Sequence, residues 1–155
     1  MLEEILEVPQ DKKKDYIEAA RTTAAQTLKW YPTVTAELSR TQKHNTSAKN
    51  LELYTGTYWN SIKTMKMVVT VEMNSLYYAA QGLESEKYIL EHYEDDIFTW
   101  IRTRIELVAR GRWVDQGPEF WKIKFRFDEG GGVYRLKWVH DAEVTGGESI
   151  YKTAR

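Results

Sequence analysis

The spacing of apolar positions along the chain changes once, near Asn50. Before that point Ile17, Ala20, Ala24, Leu28 and Tyr31 recur at three- and four-residue intervals, which predicts a helix from Asp11 to about Tyr31 with one narrow apolar stripe. Asp11, after Pro9, is placed to cap its start, and Pro32 discourages continuation beyond Tyr31. Val34 and Leu38 suggest a short second helical piece, and Arg40–Asn50, RTQKHNTSAKN, reads as a linker. A helix with a single apolar face must lie on something, either a sheet or a partner.

After Asn50 the period is two. Leu51–Trp59, LELYTGTYW, predicts an opening strand in which Gly56 marks a bend or a close backbone approach. Met65, Met67, Val69, Val71 and Met73 alternate with Lys66, Val68, Thr70 and Glu72; Asn74-Ser75 suits a turn, and Leu76, Tyr78 and Ala80 resume the alternation. Lys87–Tyr93 and Asp96–Ile101 predict two strands joined at Glu94-Asp95. Trp121, Ile123, Phe125 and Phe127 alternate with Lys122, Lys124 and Arg126. Asp128–Gly132 then turns into a strand with Tyr134, Leu136, Trp138 and His140 on one face. Glu148–Lys152 closes the series, giving about eight short antiparallel strands, a mainly β fold of barrel or sandwich type. Arg102–Pro118, with Arg102, Arg104, Arg110 and Arg112, is expected as a partial strand plus a loop over one barrel mouth. The chain thus divides into a helical segment and linker over 1–49 and a β-barrel over 50–155.

Composition narrows the function classes. A net charge of −1 gives no global attraction for nucleic acid or an anionic membrane, and the rings fall on the inward face rather than on a base-stacking surface. There is no cysteine, so thiol nucleophiles and disulfides are excluded, and no stretch has the pattern of a secretory leader or a membrane span; a cytoplasmic protein is expected. His44, His92 and His140 are too dispersed to form a local ligand pair, so neither a metal nor a cofactor is expected.

The unusual quantity is aromatic: 6 Trp, 10 Tyr and 4 Phe. Alternation sends Tyr58, Met67, Val69, Tyr78, Trp100, Trp121, Phe125, Tyr134, Trp138 and His140 inward, where they either fill the lumen or line an apolar cavity. In a cavity, Tyr58, Tyr78, Trp100, Trp121, Phe125, Tyr134, Trp138 and His140 are the candidate contacts to a hydrophobic small molecule. Tyr58, His92 and His140 are then the candidate acid–base groups.

Four segments follow one another in a known order: LxxYxGxY at Leu51–Tyr58, LEHYEDDIFTW at Leu90–Trp100, GPEFW at Gly117–Trp121 and VYRLKWVHD at Val133–Asp141. Together they resemble the C-terminal lipocalin-like domain of fungal β-lactamase-related serine hydrolases, the penicillin-binding-protein-like or CubicO-type enzymes. The resemblance covers about residues 50–152, and the preceding helix resembles the segment that leaves the catalytic domain. It implies an antiparallel lipocalin-like barrel that covers or gates a hydrolase active site. It does not imply hydrolysis by this chain, because the family's catalytic block lies upstream of the matched region. Ser149 and Lys152 have the spacing of a serine–lysine pair, but on a strand residues three apart face opposite sides. Tyr58-Trp59-Asn60 imitates a YxN element without a Lys-Thr-Gly to follow. Three functions remain. One is a non-catalytic accessory or small-molecule-binding barrel whose helix and Arg102–Pro118 loop contact a serine-hydrolase domain. Another is a stand-alone isomerase or cyclase acting on a hydrophobic secondary metabolite in the lumen. The third is purely structural, a barrel subunit that scaffolds an assembly.

Overall fold

Eight antiparallel strands each pair with their sequence neighbour, and the last returns to the first to close a barrel. The computed structural model describes residues 5–9, 12–112 and 115–153. The strands are β1 (Gly56–Asn60), β2 (Lys66–Glu72), β3 (Ser75–Ala80), β4 (Lys87–Glu94), β5 (Ile97–Thr99), β6 (Lys122–Phe127), β7 (Val133–Trp138) and β8 (Glu148–Lys152). Closure removes both sheet edges and fixes every alternating row as inward or outward. Met67, Val69, Leu76, Tyr78, Tyr88, Leu90, Ile123 and Phe125 are buried as their period-two patterns require.

The opening segment differs from the strand expected over Leu51–Trp59. Leu51–Tyr54 is a 3-10 turn, begun by Asn50, whose side-chain oxygen accepts the amide of Glu52 at 3.1 Å. Its turn swings Tyr54 into the barrel mouth. Gly56 then starts β1 at positive φ, +143°, and a Cβ there would lie 2.7 Å from Cε of Lys152, so a flexible side chain rather than the expected backbone is what comes close. The β2–β3 turn falls at Met73-Asn74, one residue earlier than expected, with both residues at positive φ as a two-residue hairpin demands.

A bulge reverses one further expectation. Phe127 pairs with Val133 while Arg126 pairs with Arg135, so Tyr134 is an extra residue with no partner of its own. It turns outward and is 38% exposed, whereas Leu136 remains fully buried.

Helix α1 spans Tyr16–Thr41, 26 residues, and passes straight through Pro32. The sequence expectation of a stop at Tyr31 fails because the residues beyond the proline are the ones that pack: Val34 and Leu38 are buried against the barrel. Its observed cap is Asp15, whose Oδ1 accepts the amides of Ile17 and Glu18; Asp11 lies outside the described residues. Of the two surfaces expected for the stripe, the barrel does not cover its early part: Ile17 is 68% and Leu28 61% exposed. The helix is anchored further along, where Trp30 Nε1 donates to Gln116 O at 2.7 Å and Tyr93 OH donates to Leu38 O at 2.6 Å.

The stretch expected as a partial strand and loop contains a helix, α2 (Arg104–Ala109). Thr103 and Glu106 form a reciprocal capping box, and Leu107, fully buried, is the apolar plug that this one-and-a-half-turn helix delivers. Three of its neighbouring arginines hold it down: Arg102 to Glu91 and Ile89 O, Arg110 to Lys87 O, and Arg112 to Tyr88 OH. These arginines are structural fasteners.

Candidate functional site

The barrel interior is occupied by a column of rings. Near the linker, Tyr54 meets Phe98 and Phe125 edge-on, both at 5.0 Å, and Phe125 meets Tyr58 at 6.0 Å. Toward α2, Trp100 contacts Tyr78 at 5.5 Å, Tyr88 at 5.2 Å and Trp121 at 4.5 Å. Rings at these centroid distances are in van der Waals contact, so they fill the width that an eight-strand barrel encloses. Of the residues singled out as lumen contacts, Tyr58, Tyr78, Trp100, Trp121 and Phe125 do come together here, all at most 2% exposed. Trp138 is half-buried at the rim and donates to Phe120 O at 2.7 Å. Tyr134, turned outward by the bulge, is the exception.

Every hydroxyl in this column whose bond is seen is committed to the fold. Tyr58 OH donates to Tyr54 O at 2.6 Å. Tyr54 OH donates to Asp96 Oδ1 at 2.8 Å and accepts the amide of Lys49, while Lys49 Nζ pairs with Asp96 at 3.0 Å. Burial raises the pKa of Tyr58 and Tyr78 above the ordinary phenol value; in Tyr54 burial acts first and the bond to Asp96 adds to it. All three therefore hold their protons tightly and are poor proton donors.

The three acid–base candidates are not brought together. His92 lies near the Asp95 turn, where its Nε2 is 3.0 Å from Asp95 O and its ring stands edge-on to Phe98. His140 follows β7 at the opposite end of the barrel, beside the start of β8, with Nε2 2.5 Å from Glu148 Oε2. Tyr58 is bonded within the column between them. Antiparallel topology keeps the two histidines apart, because it sends residues following β7 and residues ending β4 to opposite mouths. His44 is exposed in the linker, and among the described residues no group of three His, Asp or Glu could hold a metal.

The remaining catalytic look-alikes are also structural. Ser149 Oγ is 3.4 Å from Arg135, and Lys152 Nζ donates to Leu53 O at 3.1 Å. Asn60, the last residue of the YxN imitation, is 4% exposed and organises the β1–β2 turn: its oxygen accepts the amides of Thr64 and Met65, and its Nδ2 donates to Thr64 and to Glu148. The only sequence hint of this was its place at a strand end before a polar turn.

On the outside, three features stand out. A groove of about 250 Å³ lies between α1 and residues 115–118, walled by Trp30, Val34 and Pro118. A second, about 550 Å³, runs past Leu53, Val133 and the outward Tyr134. The third, about 660 Å³, is formed by the early turns of α1, from Tyr16 to Leu28, with Arg104 of α2. All are open to solvent and none is lined by the ring column. Among the described residues no helix is long and apolar enough to cross a membrane.

Residues 40–150 match the family model described as a domain of unknown function, DUF3471. No curated protein matches the chain.

Proposed function

This chain belongs to the DUF3471 family, and we propose that it is an accessory β-barrel domain that works through its outer surface, docking on a β-lactamase-like serine-hydrolase domain. The observation that carries this reading is the contrast between inside and outside. The lumen is packed with rings, whereas α1 presents exposed Ile17 and Leu28 on its early turns. A filled lumen suits a rigid platform, and exposed apolar groups on a helix suit an interface. The resemblance of residues 50–152 to barrels that accompany such hydrolases supplies the partner class.

Mixing the purified chain with a recombinant hydrolase domain of that class tests the reading. Co-elution on size exclusion and a changed kcat/KM toward a chromogenic ester are expected. Neither binding nor altered turnover counts against it.

A second reading, a hydrophobic small molecule bound by the barrel, is favoured by the small apolar groove at Trp30, Val34 and Pro118. It places the ligand beside α1. A lumen isomerase or cyclase would require the ring column to part and Tyr58, His92 and His140 to leave their separate partners.

A further inference from the structure

Arg104 opens α2 and points into the groove formed with the early turns of α1. Its flanking arginines, Arg102, Arg110 and Arg112, each grip an acceptor on the barrel. Arg104 does not. Among the described residues it has no ion pair and no hydrogen bond, and its Nε is buried without an acceptor. Its charge therefore has no carboxylate partner among the described residues, and its terminal nitrogens are the part of the groove to which an incoming acid could pair.

The groove around it is otherwise apolar and shallow. Tyr16, Ala20, Thr23, Ala24 and Thr27 share one face of α1, and the small side chains of Ala20, Thr23, Ala24 and Thr27 let another backbone come close. Charges on α1 are sorted about that face. Glu18 is two residues from both Tyr16 and Ala20, about 200° around the helix, and so points away, as does Lys29 relative to Thr27. Arg21 flanks the face beside Ala24. The charges that border the groove are therefore arginines, with no carboxylate lining it.

Three occupants can be weighed. A second copy docking through the same face would bring together two surfaces bordered by arginines, with no carboxylate lining either groove to pair them. A small molecule would stay largely solvated, because the groove is a trough about 660 Å³ in extent rather than an enclosed pocket. A helix with an apolar ridge bordered by carboxylates meets both demands, laying the ridge over Ala20 and Ala24 and an acid against Arg104. We infer that this groove docks such an acidic amphipathic helix of a partner protein. The inference rests on the outer-surface reading above and specifies the chemistry that the docking partner must present.

The probe is a dye-labelled synthetic helix of about eighteen residues, with leucines at three- and four-residue spacing and glutamates on both flanks. Its counterpart has every glutamate replaced by lysine. Fluorescence anisotropy at low salt is expected to show the acidic helix binding the full chain about tenfold or more tightly than the lysine helix. Arg104→Gln is expected to weaken the acidic helix about fivefold or more, with unchanged near-ultraviolet circular dichroism. Ala24→Glu, on an exposed turn where the fold is not at stake, should weaken it by about tenfold. Equal binding of the two helices, indifference to both substitutions, or no saturation below about 1 mM overturns the inference. So does a dimer of the chain that Ala24→Glu dissociates. The hydrolase mixing experiment separates the two claims: Arg104-dependent peptide binding without hydrolase binding sinks the proposed partner and keeps the groove. Hydrolase binding indifferent to Arg104→Gln does the reverse.

Discussion

The Tyr58 hydroxyl donates to the backbone oxygen of Tyr54 at 2.6 Å, tying the first strand to the turn that plugs one mouth of the barrel. Both residues are fully buried, so this bond closes the column with no water to replace it. Tyr58→Phe keeps the ring and leaves the Tyr54 carbonyl without that donor. It should lower unfolding free energy by about 1–2 kcal/mol, read from urea denaturation at unchanged m-value.

Trp100 touches Tyr78, Tyr88, Phe120, Trp121 and Trp138 at the end of the barrel nearer α2. Trp100→Ala should cost about 3–5 kcal/mol and leave a hole of roughly indole size. Added indole is then expected to raise the melting temperature of the variant and leave the wild type unmoved. A comparable rise in the wild type would show space in the lumen that the ring contacts do not leave.

Two glycines at positive φ differ in what surrounds them. A Cβ on Gly56 meets the flexible end of Lys152 at 2.7 Å, whereas one on Gly147 meets the backbone oxygen of Trp138 at 2.8 Å. A lysine tip can swing aside and a strand carbonyl cannot. Gly147→Ala should therefore be the costlier, at about 2–4 kcal/mol against about 1–3 kcal/mol for Gly56→Ala. Equilibrium unfolding of the pair decides the order.

Alkaline stability follows from the buried phenols. The pKa values of Tyr54, Tyr58 and Tyr78 are raised in the folded protein, so the folded state holds protons that the unfolded chain gives up near its ordinary value of 10.0. Their contribution is complete below that pH and is lost as pH rises above it. Urea midpoints should be flat from neutral pH to about pH 9.5 on this account and fall beyond it. Tyr58→Phe should blunt the fall; an identical slope in the variant would remove Tyr58 from the explanation.

The ion pairs of Glu119 behave differently at the two ends of the pH scale. Burial works against its charge, yet bonds to Lys122 and Lys124 hold its pKa below the usual carboxylate value. Lys122 is likewise opposed by burial and held above its ordinary value by Glu119. The stabilisation is present between the two unfolded values, 4.5 and 10.5, lost in acid as Glu119 protonates and in alkali as Lys122 discharges.

Much of this molecule is written locally. Alternation assigned Met67, Val69, Tyr78, Trp121, Ile123 and Phe125 to the interior because on a strand half-buried by closure the side-chain period is two. The number of strands and the antiparallel order followed from turn residues at short spacing. Tyr134 escaped the same rule because a bulge depends on how two strands pair, which neither strand states alone. His92 and His140 were legible as candidates by residue type, but their separation was set by which mouth each strand end reaches.

The sequence by itself determined a ring-rich closed β-structure preceded by an amphipathic helix, because hydrophobic period and turn chemistry are properties of neighbouring residues. Tertiary structure decided the rest. It carried α1 through Pro32, since burial of Val34 and Leu38 on the barrel outweighs one forfeited backbone bond. It filled the lumen by bringing rings from distant strands into contact, and it left the apolar turns of α1 and the guanidinium of Arg104 facing outward together. Those are distances between parts of the chain far apart in sequence, and only the closed barrel fixes them.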